Sequence, residues 1–232
     1  MKTKIIGLAA LLGVTVATAA DVPVTFTQLT GLTGGSPAET AVFRADLSLV
    51  GISSILSITI NDNSGGLGGV GGQFSGFDLD AIKLSYASVG TAAEAAALVG
   101  LSVFDFTGGT IFTPGAQRAP ADPKLFGTGP TGATLDNSVA ELGLFDGNST
   151  TGITADGFIS MGDGGRLTFN LTSAVATAGL YLYIGEVGNN GEVAAGSITV
   201  ADTPVRTPDG GSTLAWLGLA IVSLLGLSPK RV

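Results

Sequence analysis

"RLTFNLT", residues 166–172, alternates with a period of two: Leu167, Phe169 and Leu171 fall on one face, Thr168, Asn170 and Thr172 on the other. Successive side chains of an extended chain point to opposite faces, whereas a helix groups positions three and four apart. The stretch predicts a half-buried antiparallel strand with one face on a core. Eight more segments of β character lie on either side. Upstream are "VPVTFTQL" (22–29), "AVFRADLSLV" (41–50), "ISSILSITI" (52–60), "FDLDAIKLSY" (77–86), "LSVFDF" (101–106) and "GFISM" (157–161); downstream are "LYLYIGEV" (180–187) and "GSITVAD" (196–202). "LYLYIGEV" is apolar on both faces, which places it centrally in a sheet.

Glycine-rich turns stand between these segments; the chain has 37 glycines, accompanied in the turns by Asn, Asp, Ser and Thr. "NDNSGGLGGVGG" (61–72), "DGNSTTG" (146–152), "GDGG" (162–165) and "GNNG" (188–191) all supply residues that tolerate positive φ. "GNNG" predicts a hairpin between its flanking strands. One segment departs from the β pattern. "TAAEAAALVG" (91–100) has Thr91 and Glu94 in capping-box spacing, an alanine run and Gly100 as a stop, so a short helix is expected there. Residues 113–133 carry four prolines and predict a long surface loop. Many short strands with turn signals between them point to an all-β fold, an antiparallel β-sandwich or jelly-roll-like ectodomain with one short helix.

Composition narrows the function classes. The chain has 232 residues and a formal net charge of −8, and residues 21–206 hold 17 acidic side chains against six basic ones. Such a field repels phosphates, so sequence-independent binding to nucleic acid is disfavoured. There is no cysteine and no histidine. Disulfide bracing, Ser-His-Asp and Cys-His catalysis and histidine-bound zinc are thereby excluded.

The two ends differ from the middle. Lys2 and Lys4, an apolar run from Ile5 to Ala17 and small residues at Ala17, Ala19 and Ala20 have the layout of a secretory signal peptide over 1–20. The partners implied are the Sec translocon and signal peptidase, with cleavage near Asp21. At the other end, the run from Leu214 through Trp216 to Leu227 is uncharged, and Lys230 and Arg231 follow it. Fourteen helical residues span roughly 20 Å against a hydrocarbon core of about 30 Å, a short transmembrane helix, and trailing basic residues stay on the cytoplasmic side. The alternative is a helix of a soluble core. The expected organisation is a signal helix (1–20), a β-sandwich ectodomain (21–203) and a C-terminal sorting signal (204–232).

Thr207-Pro208-Asp209-Gly210-Gly211-Ser212-Thr213, followed by the apolar run and basic end, resembles the VPDSG variant of the PEP-CTERM sorting signals. Pro208, Asp209, Gly211, Ser212 and Thr213 match that motif; Thr207 stands for the usual Val, Gly210 for the usual Ser, and Ser228-Pro229 interrupts the basic tail. The resemblance implies an exosortase-type processing enzyme as partner. It also implies a precursor held in the inner membrane and a mature protein in the cell envelope, outer surface or medium of an exopolysaccharide-producing bacterium. "GFDLDAIKLS" (76–85), "GFISMGDGGRLTFNL" (157–171) and "LYLYIGEVGNNGEVAAGSITV" (180–200) look like phrases from the β-sandwich ectodomains found ahead of such tags.

Chemistry in the middle of the chain rests on carboxylates. Asp78 and Asp80 are two apart, so on a strand both point to one face and Phe77 and Leu79 to the other. That pair, with Asp62 of "NDNSGG", is a candidate Ca²⁺ site completed by loop carbonyls; the alternatives are a polar face beside Lys83 and an ordinary turn. A glycosidase would need two of Asp46, Asp78, Asp80, Asp105, Glu141, Asp146 and Glu186, and nothing in the sequence selects a pair. The expected function is a non-enzymatic, structural or matrix-interacting envelope protein that contacts extracellular polysaccharide. A Ca²⁺-dependent carbohydrate-binding module is the alternative.

Overall fold

The computed structural model describes residues 21–66, 70–149, 157–190 and 198–206. The expected signal peptide and the motif, apolar run and basic end from 207 onward lie outside the described residues. No helix among the described residues is long and apolar enough to cross a membrane.

Among the described residues the regular structure is mostly β, arranged as two five-stranded antiparallel sheets and a two-stranded ribbon. In spatial order the first sheet contains β1 (Val22–Pro23), β12 (Ile198–Ala201), β5 (Ser54–Asn61), β10 (Arg166–Ala176) and β7 (Thr110–Thr113). The second contains β2 (Thr27–Gln28), β4 (Thr40–Asp46), β11 (Tyr181–Val187), β6 (Asp78–Ser85) and β9 (Ile159–Ser160). The ribbon pairs β3 (Pro37–Ala38) with β8 (Asn148–Ser149).

The alternation in β10 sets the inner face of the first sheet. Leu167 lies opposite Ile60 and Phe112, and Phe169 opposite Ile58 and Thr110. Ile198 and Val200 of β12 extend the same rows. These side chains share one core with Leu79, Ile82 and Leu84 of β6 and Leu182 and Ile184 of β11. β11 is the central strand of its sheet, as its apolar character on both faces requires.

The outer faces are covered too. On the first sheet, Thr59 and Thr168 hydroxyls meet at 3.0 Å, and Thr168 is buried rather than solvated. The chain beyond β12 folds back over this face. Ser57 donates to the Thr203 carbonyl (2.8 Å), and the Asn170 carboxamide clasps Val205 by donating to its carbonyl (2.9 Å) and accepting from its N–H (2.8 Å). The fold thus holds the chain as far as Val205. On the second sheet, Val42, Ala81 and Tyr183 pack under Ala92 and Ala95 of α1 (Ala92–Ala97) and under Phe145. α1 begins with the expected capping box: Glu94 N–H donates to the Thr91 hydroxyl, and Thr91 N–H donates to the Glu94 carboxylate.

Several expected elements take other forms. "VPVTFTQL" is two short strands, one in each sheet, so this segment crosses between layers. "LSVFDF" is not a strand. Phe104 and Phe106 stack at 5.5 Å and meet Phe169 edge-on, closing the side of the core, and the strand beside β10 is β7 instead. "GNNG" makes no hairpin, because β11 and β12 belong to different sheets. A second helix, α2 (Asn137–Ala140), starts where the Asp136 carboxylate accepts Ser138 N–H (3.1 Å).

Candidate functional site

The sequence "FDLDAIKL" hides a shift of phase: apolar residues fall at 77 and 79, then at 82 and 84. The shift is a β-bulge. Ile82 pairs with Ile184 and Leu79 with Glu186, so Asp80 and Ala81 together oppose the single residue Gly185. The bulge keeps Leu79 and Ile82 in the core and sends Asp78, Asp80 and Ala81 outward, in agreement with the shared face expected for the two aspartates.

Neither aspartate is solvated. Asp80 is completely buried: its carboxyl accepts the Thr40 hydroxyl (2.5 Å) and the Gly147 N–H (3.2 Å to each oxygen), and Asp146 lies beside it. Thr40 and Asp80 come from the two strands flanking β11 and meet above Gly185. A Cβ on that glycine would stand 2.7 Å from Thr40 Cγ2 and 2.7 Å from Phe145 Cδ1, so only glycine fits under the bridge. Burial, followed by the neighbouring Asp146, pushes Asp80 up to about 8 against the opposing Thr40 and Gly147 hydrogen bonds. Burial and the neighbouring Asp146 thus both favour the protonated form of Asp80.

Lys83 is nearly sequestered on the same face. Its ammonium donates to the carbonyls of Ala96 (3.0 Å), Leu98 (3.1 Å) and Ala95 (3.4 Å), where α1 ends, and lies 4.9 Å from the Phe145 ring centre. Burial lowers its proton affinity, and Asp80 counteracts that. Lys83 is a cap for α1 rather than a solvated partner of the aspartates.

Asp62, Asp46 and Asp105 are similarly engaged. Asp62 accepts from Gly164 N–H (2.8 Å), Phe77 N–H (2.9 Å), Ser64 Oγ (3.1 Å) and Ser64 N–H (3.3 Å), tying two glycine turns to the start of β6. Asp46 caps the 3₁₀ turn at 47–49 through Ser48, and Asp105 closes a turn by accepting from Thr107 and Gly108 (2.9 Å each). The Gly108 N–H, then that of Thr107, hold Asp105 below the usual carboxylate range. The expected calcium trio is thus divided among three separate hydrogen-bond systems. Among the described residues, no group of three or more acidic side chains is placed to hold a metal.

Beside Asp78 a cavity of about 420 Å³ opens between the ribbon and the turn after β11. Asp78 itself accepts from Ser160 Oγ (2.5 Å), which fixes its carboxylate at the end of β6. Asn148 enters from β8, held by the pairing with Ala38, and Asn190 from the turn. That turn is braced by left-handed Asn189 (φ 45°), whose side chain accepts from Gln28 (3.1 Å), and by Gly188 N–H donating to the Glu39 carbonyl. Phe74, Phe158 and Val187 form the apolar wall, with Phe126 packed 4.5 Å behind Phe158. Sequence reasoning found Asp78 here but missed Phe74, Asn148 and Asn190, which are 4, 70 and 112 positions away from it.

The chain matches no family model, no curated protein and no solved structure.

Proposed function

We propose that the protein is an exported, non-catalytic component of the cell envelope or extracellular matrix. In this proposal a jelly-roll-like β-sandwich is carried between a cleaved signal peptide and an exosortase-type sorting signal. The observation that carries it is the fixed order at the C-terminus: Pro208-Asp209, Gly211-Ser212-Thr213, the uncharged run 214–227, then Lys230 and Arg231. The fold is compatible with that order. Val22 pairs with Val200, so the chain enters the first sheet beside the strand from which it leaves, and the clasp on Val205 ends just before the motif. Consecutive strands change sheet at β1–β2, β4–β5, β5–β6, β6–β7, β9–β10, β10–β11 and β11–β12, which supports the jelly-roll-like description.

Four of the candidate carboxylates support the non-catalytic part. Asp46, Asp62, Asp80 and Asp105 each bind backbone N–H groups of turns or loops. A general acid or base must instead reach a substrate proton. Fractionation of cells expressing the chain with and without residues 207–232 tests the proposal. The full chain is expected to pass through the inner membrane to the envelope or medium, and the truncated chain to be redistributed. Identical distributions would remove the sorting role.

A further inference from the structure

We propose that the end of the sandwich where β4 and β6 finish and β5 and β11 begin docks on the surface of a lipid bilayer. Three connections meet there: 47–53 between β4 and β5, 86–91 between β6 and α1, and 177–180 between β10 and β11. They are tied to one another. Leu47 N–H donates to the Leu180 carbonyl (2.9 Å), Thr177 N–H to the Ser53 carbonyl (3.1 Å) and the Tyr86 hydroxyl to the Ala176 carbonyl (3.4 Å). The 3₁₀ turn at 47–49 aims side chains two apart in different directions. Leu47 enters the core, and Leu49 stands 82% exposed. Tyr86 is 51% exposed at the same end, where Val50 and Ile52 are half-buried.

Charge separates this end from the other. None of the three connections contains a charged residue. The two charges that border them are held in hydrogen bonds: Arg44 donates to the Ser88 hydroxyl (2.8 Å) and the Val89 carbonyl (2.7 Å), and Asp46 accepts from Ser48 N–H (2.9 Å). At the opposite end stand Asp62, Asp122, Arg166 and the Arg118–Asp163 ion pair (3.4 Å). Pressing that end on a bilayer would strip water from those charges. The uncharged end offers Leu49 to the acyl boundary and Tyr86 to the headgroup level, where an aromatic ring and its hydroxyl are both accommodated. The chain also leaves the fold within reach. Thr203 is held at Ser57, and Val205 at Asn170, which lies opposite Ser57. Ser57 is three strand residues, about 10 Å, from Ser54 at the docking end. Residues 207–213 separate Arg206 from the uncharged run that begins at Leu214, and seven extended residues reach about 25 Å. A run held in the membrane therefore leaves the domain close enough to rest this end on the same bilayer. That anchor is the membrane segment of the sorting-signal proposal above, on which the docking rests.

The chain has no cysteine, so single cysteines can be introduced and labelled with a nitroxide. The test uses the full chain in phosphatidylcholine vesicles. Labels are placed through Ser53→Cys and Ala87→Cys, exposed positions at the docking end, and through Val70→Cys, 71% exposed at the opposite end beside Asp78 and Val187. Spin relaxation by oxygen, which concentrates in lipid, and by a water-soluble nickel chelate reports depth. Positions 53 and 87 are expected to be rich in oxygen and poor in nickel contacts, and position 70 the reverse. Leu49→Asp should lower the ratio of docked to undocked chain at least about tenfold, since burying one leucine is worth more than that factor. Both labels should then approach the values at position 70, and an unchanged melting temperature would show the variant to be folded. Vesicle-bound chain with all three labels in water, or docked labels indifferent to Leu49→Asp, would overturn the docking and leave the membrane segment standing. Spin–spin broadening at position 53 that disappears on dilution with unlabelled chain would assign this end to a second copy and overturn it as well. A chain that does not float with the vesicles would remove the docking and the membrane segment together. Docked labels in a chain whose distribution in cells ignores residues 207–232 would leave the docking standing and remove the sorting role.

Discussion

Asp80→Asn isolates the chemistry of the buried bridge. The carboxyl of Asp80 is 0% exposed, and its folded-state value of about 8 lies far above the 3.8 of an unfolded aspartate. The folded state therefore binds the Asp80 proton more tightly than the unfolded chain does. The stability this contributes is complete below pH 3.8 and is lost as pH rises towards 8. At ~1.4 kcal/mol per pH unit over which only the unfolded state has ionised, the loss between pH 5 and pH 8 is about 4 kcal/mol. Asparagine occupies nearly the same volume, accepts from Thr40 or Gly147 through its oxygen and offers N–H to Asp146, but carries no proton that titrates in this range. Urea denaturation of the parent and the variant at pH 5, 6.5 and 8 measures the difference. The variant is expected to gain on the parent steadily with pH, by roughly 3–4 kcal/mol over that interval. Carboxylates remote from the bridge cancel in the subtraction, including Asp105 and Glu94, whose lowered values act in the opposite direction. Parallel profiles would show that Asp80 is already ionised when folded, and the raised proton affinity would be refuted.

Two further substitutions test the same outer face. Gly185→Ala puts a methyl 2.7 Å from both Thr40 Cγ2 and Phe145 Cδ1, and should destabilise by about 1–3 kcal/mol, read as a lower thermal midpoint. Lys83→Met keeps the apolar stem but leaves the Ala95, Ala96 and Leu98 carbonyls without their ammonium donor. It should cost about 1–3 kcal/mol and speed amide exchange across 92–98 more than across β10.

The strands of this fold are legible where period two is unbroken. "RLTFNLT" sits in register with both neighbours, and the capping box of α1 is present at the expected residues. Legibility stops where a residue's partner is distant in sequence. Alternation in "LSVFDF" is genuine, but Phe104 and Phe106 use it to seal the core edge against Phe169 rather than to join a ladder. "GNNG" has hairpin chemistry, yet the sheet that receives the next strand is decided by β5, which pairs with β12 more than a hundred positions away in sequence. The aspartates show the same limit. Sequence spacing put Asp78 and Asp80 on one face correctly, but Thr40, Asp146 and Gly147 are what keep Asp80 dry. One signal was available and unused: a glycine at 185 in the middle of an apolar strand marks a close approach, here by the bridge from Thr40 to Asp80 and the ring of Phe145.

The measurement that bears on export and processing together is the intact mass of the protein recovered outside the inner membrane. The expected species begins at or next to Asp21 and lacks the apolar run Leu214–Leu227 and everything after it. Recovery of a species that retains residues 214–232 would contradict the proposal that this end of the chain is a sorting signal removed by processing.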